Sequence, residues 1–179
     1  AASDVYKRQD YIPSMEFAGD KIMAKILNRD QNNLRLYSVN PGSTLAKLTL
    51  TEKSEAWLSP AAYKMVDYKN NYFIIGSERD GYRHLYRYNY AGVLEKQLTS
   101  GDFNITAYYG QNSKTGEYYV QCTKLGAVNR NVAKIDSKGK LTLLHPEQGT
   151  ESAQFSRNFD YYLRTYSNIT TPPQYTIWN

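Results

Sequence analysis

The residues able to do acid–base, nucleophilic or metal chemistry are few and scattered. The two histidines, His84 and His145, each have a carboxylate nearby in sequence, Asp80 for the first and Glu147 for the second. Neither has a second His or a Cys at ligand spacing, which argues against zinc. His84 falls in an alternating, strand-like segment and His145 precedes Pro146, so structural or solvated roles fit both. A serine hydrolase carries its nucleophile on a sharp elbow with glycine two residues to either side. No serine has that setting. Ser137 has Gly139 after it but Ile135 before it, and reads as a turn residue. The single cysteine, Cys122, cannot form an internal disulfide; lying in an apolar stretch, it reads as a buried structural thiol. Calcium-loop and phosphate-loop patterns are missing, and the polar run from Asn28 to Asn33 reads as a turn. Sequons at Asn104 and Asn168 carry meaning only in a eukaryotic secretory setting. No catalytic, substrate-binding, cofactor-binding or metal residue is assigned, and no cofactor is expected.

What the sequence does contain is a repeat. Leu34 to Gly42 (LRLYSVNPG), His84 to Gly92 (HLYRYNYAG) and Asn131 to Gly139 (NVAKIDSKG) align, each followed by spaced leucines. Each copy reads as an alternating strand, a polar residue (Asn40, Asn89 or Asp136), a glycine turn and a second strand. Glycine supplies the positive φ of such a hairpin, and Asn or Asp can bond its own backbone to start the turn. Gly42 and Gly92 are 50 residues apart, Gly92 and Gly139 are 47. Before each hairpin lies another alternating strand (21–27, 72–77, 118–123, and a fourth at 161–166), preceded by a shorter one (12–17, 63–68, 106–111, 153–159). Four strands per unit at this period predict an all-β fold, a partial β-propeller of about three and a half antiparallel blades. The expected blades are 10–59, 60–104, 105–150 and a partial 151–179. A β-sandwich gives no reason for a glycine hairpin at near-constant spacing. The best helical segment, 50–58, has few apolar residues at helical spacing and is cut by Pro60.

Composition agrees with this reading. Eighteen tyrosines in 179 residues favour strands whose faces lie at the water boundary. The net charge of +5 does not form a basic cluster, since Arg35, Lys47, Lys64, Arg83, Lys96, Lys124, Lys134 and Arg164 are spread along the chain. This argues for a solvated surface and against a nucleic-acid partner. No apolar run approaches the roughly 18 residues of a membrane-spanning helix. Residues 1–9 (AASDVYKRQ) lack periodicity and resemble an in-frame translated sequencing adapter, to be set aside like any non-native scar. Propellers usually close with four to eight blades, so three and a half predict a fragment of a longer chain.

The most distinctive stretch, Ser77 to Tyr86 (SERDGYRHLY), reads physically as strand, Asp-Gly hairpin and strand. It also resembles a propeller hairpin of dipeptidyl peptidase IV-type enzymes, members of the prolyl oligopeptidase family of serine peptidases. Leu27 to Asn32 (LNRDQN) and Thr51 to Trp57 (TEKSEAW) are similar to neighbouring segments of bacterial members, in the same order and spacing. Tyr161 to Ser167 (YYLRTYS) and Pro172 to Ile177 (PPQYTI) resemble the last propeller strands. The likeness spans Asp10 to Asn179. It implies that the catalytic Ser, Asp and His lie in an α/β-hydrolase domain after Asn179, and that the paired glutamates gripping the substrate amino group lie upstream. It further implies a peptide substrate, no metal or organic cofactor, a secreted or periplasmic location, and room for a homodimer.

Two functions follow as expectations. One is the substrate-gating propeller of a serine exopeptidase that releases N-terminal dipeptides after Pro or Ala. It predicts a G-x-S-x-G elbow roughly 100–150 residues beyond Asn179, then Asp and His. The other is a stand-alone binding or scaffold propeller with no catalytic domain, because propellers host many functions.

Overall fold

The computed structural model describes residues 10–179; the adapter-like segment 1–9 lies outside the described residues. Two compact units form, one from residues up to 79 together with 86–96, the other from 80–85 together with 97–179. Alternating side chains and glycine turns produce four sheets, each a meander in chain order. The first holds β1 (Tyr11–Ala18), β2 (Lys21–Leu27), β3 (Asn33–Val39) and β4 (Ala46–Lys53). The second holds β5 (Val66–Tyr68), β6 (Tyr72–Ser77), β7 (His84–Asn89) and β8 (Leu94–Gln97). The third holds β9 (Ile105–Gln111), β10 (Tyr118–Cys122), β11 (Asn131–Ile135) and β12 (Leu141–Leu143). The fourth has three strands, β13 (Thr150–Phe155), β14 (Tyr162–Ser167) and β15 (Gln174–Trp178). This is the propeller-blade organisation that the repeat predicts.

The turns carry out what their residue types allow. Asn40 Oδ1 accepts the Gly42 amide at 2.9 Å, Asn89 Oδ1 those of Ala91 and Val93 at 3.0 Å, and Asp136 Oδ1 those of Lys138 and Lys140 at 2.9 Å. Gly92 (φ +86°) and Gly139 (φ +91°) take the left-handed conformation expected of them. The first hairpin differs. Its turn is one residue longer, and Thr44, not Gly42, takes positive φ, at +57°; the Thr44 amide is held there by Asn40 O at 2.9 Å.

Three other segments depart from the sequence reading. The strand expected at 63–68 shrinks to β5, because Pro60–Tyr63 forms a short helix, α1. Pro60 opens that helix, where its fixed φ suits the first turn and its missing N–H costs nothing. Gly76 makes room for it: a Cβ there would stand 2.8 Å from Ala62 O. The strand expected at 153–159 moves earlier, to β13. Arg130 N–H bonds Gly149 O at 2.9 Å and Glu151 N–H bonds Arg130 O at 2.7 Å, fixing its start, while Phe159 enters a turn at φ +59°. The Asp80-Gly81 hairpin is not a two-residue turn but a loop, 78–83, because Arg79 folds back onto Ser77.

In the first unit one core joins Ala18, Met23 and Leu36 of the first sheet to Phe73, Ile75, Tyr86 and Tyr88 of the second. The Phe73 and Tyr88 rings stack at 5.7 Å. In the second unit Phe155 sits among tyrosines, 4.7 Å from Tyr119, 5.1 Å from Tyr162 and 5.5 Å from Tyr109. Tyrosine is used here as sheet-to-sheet packing whose hydroxyl still reaches a polar partner, as Tyr109 OH does in accepting the Ala153 amide at 3.3 Å.

Candidate functional site

The densest polar constellation of the first unit lies where β4 and β6 end. Glu52 is the penultimate residue of β4 and its side chain is nearly buried. Both carboxylate oxygens are occupied: Ser77 Oγ donates to Oε1, and Arg79 Nη2 donates to Oε2 at 2.6 Å. Arg79 also donates from Nε to Ser77 Oγ at 2.9 Å and from Nη1 to Tyr88 OH at 2.5 Å. Its guanidinium lies 4.4 Å from the Tyr86 ring centroid, a cation–π distance. Burial opposes the arginine's charge, but the Tyr88 hydrogen bond and the Glu52 carboxylate outweigh it and raise the pKa. Beside this network opens a cleft of about 410 Å³ lined by Glu52, Ser54, Trp57, Glu78 and Arg79. Trp57 is half exposed and donates its indole N–H to Gln31 Oε1 at 2.9 Å.

This arrangement can bind and brace but lacks the parts for acyl transfer. The Ser77 hydroxyl is directed at a carboxylate, with no imidazole to take its proton. The resemblance motifs meet here: Glu52 and Trp57 come from one segment, Ser77, Arg79 and Tyr86 from another, and Gln31 from the third.

The second unit places both histidines in structural roles. His84 Nε2 faces the Gly101 carbonyl at 3.0 Å and must carry the proton. Nδ1 then accepts from Thr99 Oγ1 at 3.1 Å, and that oxygen accepts the Leu85 amide at 3.0 Å. Burial lowers the pKa, favouring the neutral ring that this pattern needs. His145 Nε2 meets Tyr162 OH at 2.8 Å, and its ring packs edge-on to Trp178 at 4.5 Å. Its pKa is also lowered, by burial first and by Arg164 second. Cys122 is fully buried, and burial pushes its thiol pKa up, away from the reactive thiolate.

Next to His145 lies a second carboxylate–guanidinium cluster. Glu151, 1% exposed, accepts from Arg164 Nε at 2.8 Å and from the Val132 amide at 2.9 Å. Arg164 reaches Glu147 Oε2 at 3.1 Å as well. The buried glutamate thereby ties β11 to β13 and β14. Sequence reasoning passed over Glu52, Arg79 and Glu151 and counted Arg164 with the solvated surface, whereas the structure buries it; a lone charge in an alternating strand carries no mark of burial. Among the described residues no three His, Cys, Asp or Glu side chains gather as metal ligands.

The comparisons agree with this geometry. The family model described as the dipeptidyl peptidase IV (DPP IV) N-terminal region matches residues 1–173. Dipeptidyl peptidase 4 of Arthroderma otae is 28% identical over 163 residues, 87% of this chain and 21% of that protein. Dipeptidyl peptidase 4 of Trichophyton rubrum is 26% identical over the same extent. The crystal structure of Porphyromonas gingivalis dipeptidyl peptidase 4 matches with a TM-score of 0.89 and 32% identity, over 95% of this chain and 24% of that one. The chain thus spans about a fifth of the length of the curated relatives it matches. Fold, motifs and family model converge: the chain belongs to the dipeptidyl peptidase IV N-terminal region family, and its four sheets are blades of a β-propeller.

Proposed function

We propose that this chain is the substrate-gating propeller portion of a secreted or periplasmic serine exopeptidase that releases N-terminal dipeptides, preferably after Pro or Ala. The observation that carries the reading is the family match across 1–173, on a set of blades in which the Ser77 hydroxyl faces a carboxylate. Blades of this kind supply walls, not a nucleophile, and admit short peptides to a chemistry performed by a separate α/β-hydrolase domain of the same polypeptide. Relatives about five times as long leave room for such a domain. The cleft beside Glu52 and Arg79 is the part of the described wall where polar groups and an exposed tryptophan meet.

The test is hydrolysis of Gly-Pro-p-nitroanilide by the longer natural protein and by this 179-residue chain alone. The longer protein should cleave it and the chain should not. An inactive longer protein that ends in further blades would support a stand-alone binding propeller and overturn the proposal.

A further inference from the structure

Lysine is almost never fully buried without a partner, yet the Lys25 side chain is only 2% exposed. It leaves β2 on the same face as Met23, which packs with Phe73 and Ile75 in the layer between the first two sheets. Its ion-pair partner is Glu16 on β1, itself 43% exposed, with Oε1 standing 3.6 Å from Nζ. Burial lowers the Lys25 pKa, and the Glu16 charge works in the opposite direction. An ammonium has three donors to place. At 3.6 Å the carboxylate attracts it without closing a hydrogen bond.

Two hydroxyls in the same layer are also short of partners. Ser14 is the cross-strand partner of Lys25, so both side chains leave the same face of the sheet. Ser14, Glu16 and Ala18 alternate along β1, and Ala18 belongs to the core between the two sheets. Tyr68 comes from the facing sheet, where it pairs with Phe73 and packs against that core. Its pKa is raised by burial first and by the Glu16 charge second, so its hydroxyl lies in the field of the same carboxylate and stays protonated. Ser14 Oγ and Tyr68 OH are both buried, and neither has a hydrogen-bond partner in the protein. A buried hydroxyl left unpaired costs stability.

We infer that an ordered water molecule binds between β1, β2 and β5, held by Lys25, Ser14 and Tyr68 and facing Glu16. Its hydrogen-bonding capacity fits the groups on offer. A water can accept from the Lys25 ammonium and the Tyr68 hydroxyl, and donate to Ser14 Oγ and the Glu16 carboxylate. Buried waters typically make about three such bonds to polar groups that would otherwise lack a partner. An anion fits less well, because Glu16 would repel it over the distance at which it attracts Lys25. The water keeps the ammonium solvated in a layer where its neighbours Met23 and Leu27 are apolar.

A high-resolution crystal structure and two single variants test the inference together. The structure should show a water oxygen within hydrogen-bond distance of Lys25 Nζ, Ser14 Oγ and Tyr68 OH. Ser14→Ala and Tyr68→Phe each delete a hydroxyl that the water satisfies, so each should lower the urea midpoint, with a loss of about threefold or more in the folding equilibrium constant. The sign separates the alternatives. Deleting a hydroxyl that has no partner at all would raise the midpoint or leave it in place. A midpoint raised or unchanged in either variant overturns the inference. So does the lack of density between the three groups, a Glu16 side chain turned inward to bond both hydroxyls, or density that gains an anomalous signal when bromide replaces chloride. Neither measurement reads peptide hydrolysis, so the outcome is independent of the proposed function.

Discussion

A carboxylate removed from water must keep its partner, and Glu151 illustrates how much depends on one guanidinium. Taking away one member of a buried pair costs about 3–5 kcal/mol, whereas replacing both with apolar groups costs far less. Arg164→Met should therefore lower stability by about 3 kcal/mol or more, and the double variant Arg164→Met/Glu151→Leu should recover part of the loss, as read from urea midpoints. The corresponding loss for Arg79→Met should be smaller, because the Arg79 side chain is 30% exposed and water can take over part of its role. His84 yields a pH prediction. Its folded-state pKa lies below the ordinary 6.5 because burial disfavours the charged ring. The unfolded chain binds the proton first as pH falls, so the stability due to neutral His84 is complete above 6.5 and lost as pH drops towards the folded value. Thermal midpoints between pH 7.5 and 5 should fall less steeply for His84→Gln than for the parent; identical slopes would remove His84 from the account.

At the scale of elements, the glycine turns are where sequence and structure agree most closely, and one is a sharp test. Gly92 combines φ +86° with an approach so close that an added Cβ would overlap Thr49 O. Gly81, at φ +84°, has open space around it. Gly92→Ala should destabilise by clearly more than the roughly 1–2 kcal/mol that left-handed strain alone costs at Gly81→Ala, measured as a difference in denaturation midpoints. The strands at 21–27 and 72–77 were legible because short apolar runs meet bounding turns there, although the structure buries them almost throughout and not on alternate residues. Helix α1 was not, because four residues show no period and Pro60 reads as a breaker unless the space beside Gly76 is known. The displacement of β13 was hidden for a related reason: its start is set by Arg130, twenty residues away in sequence. The candidate site was the least legible part. Its motif residues could be quoted in order, but that Glu52, Ser77 and Arg79 converge is a product of pairing between strands far apart in sequence.

At the scale of the whole molecule the proposed function divides labour between blades and a catalytic domain. The described residues supply repeated sheets, two braced carboxylates and a polar cleft; burial lowers the pKa of both histidines and hides the thiol, and Ser77 faces Glu52 and not an imidazole. These properties are the ones expected of the proposed gating role, in which the blades enclose a chemistry they do not perform. The most direct measurement is to label the longer natural protein with a fluorophosphonate, which marks activated serines, and to map the modified peptide by mass spectrometry. The account predicts a single labelled serine outside residues 10–179. Label on a serine within these blades, or no labelled serine in a protein that still releases dipeptides, would contradict it.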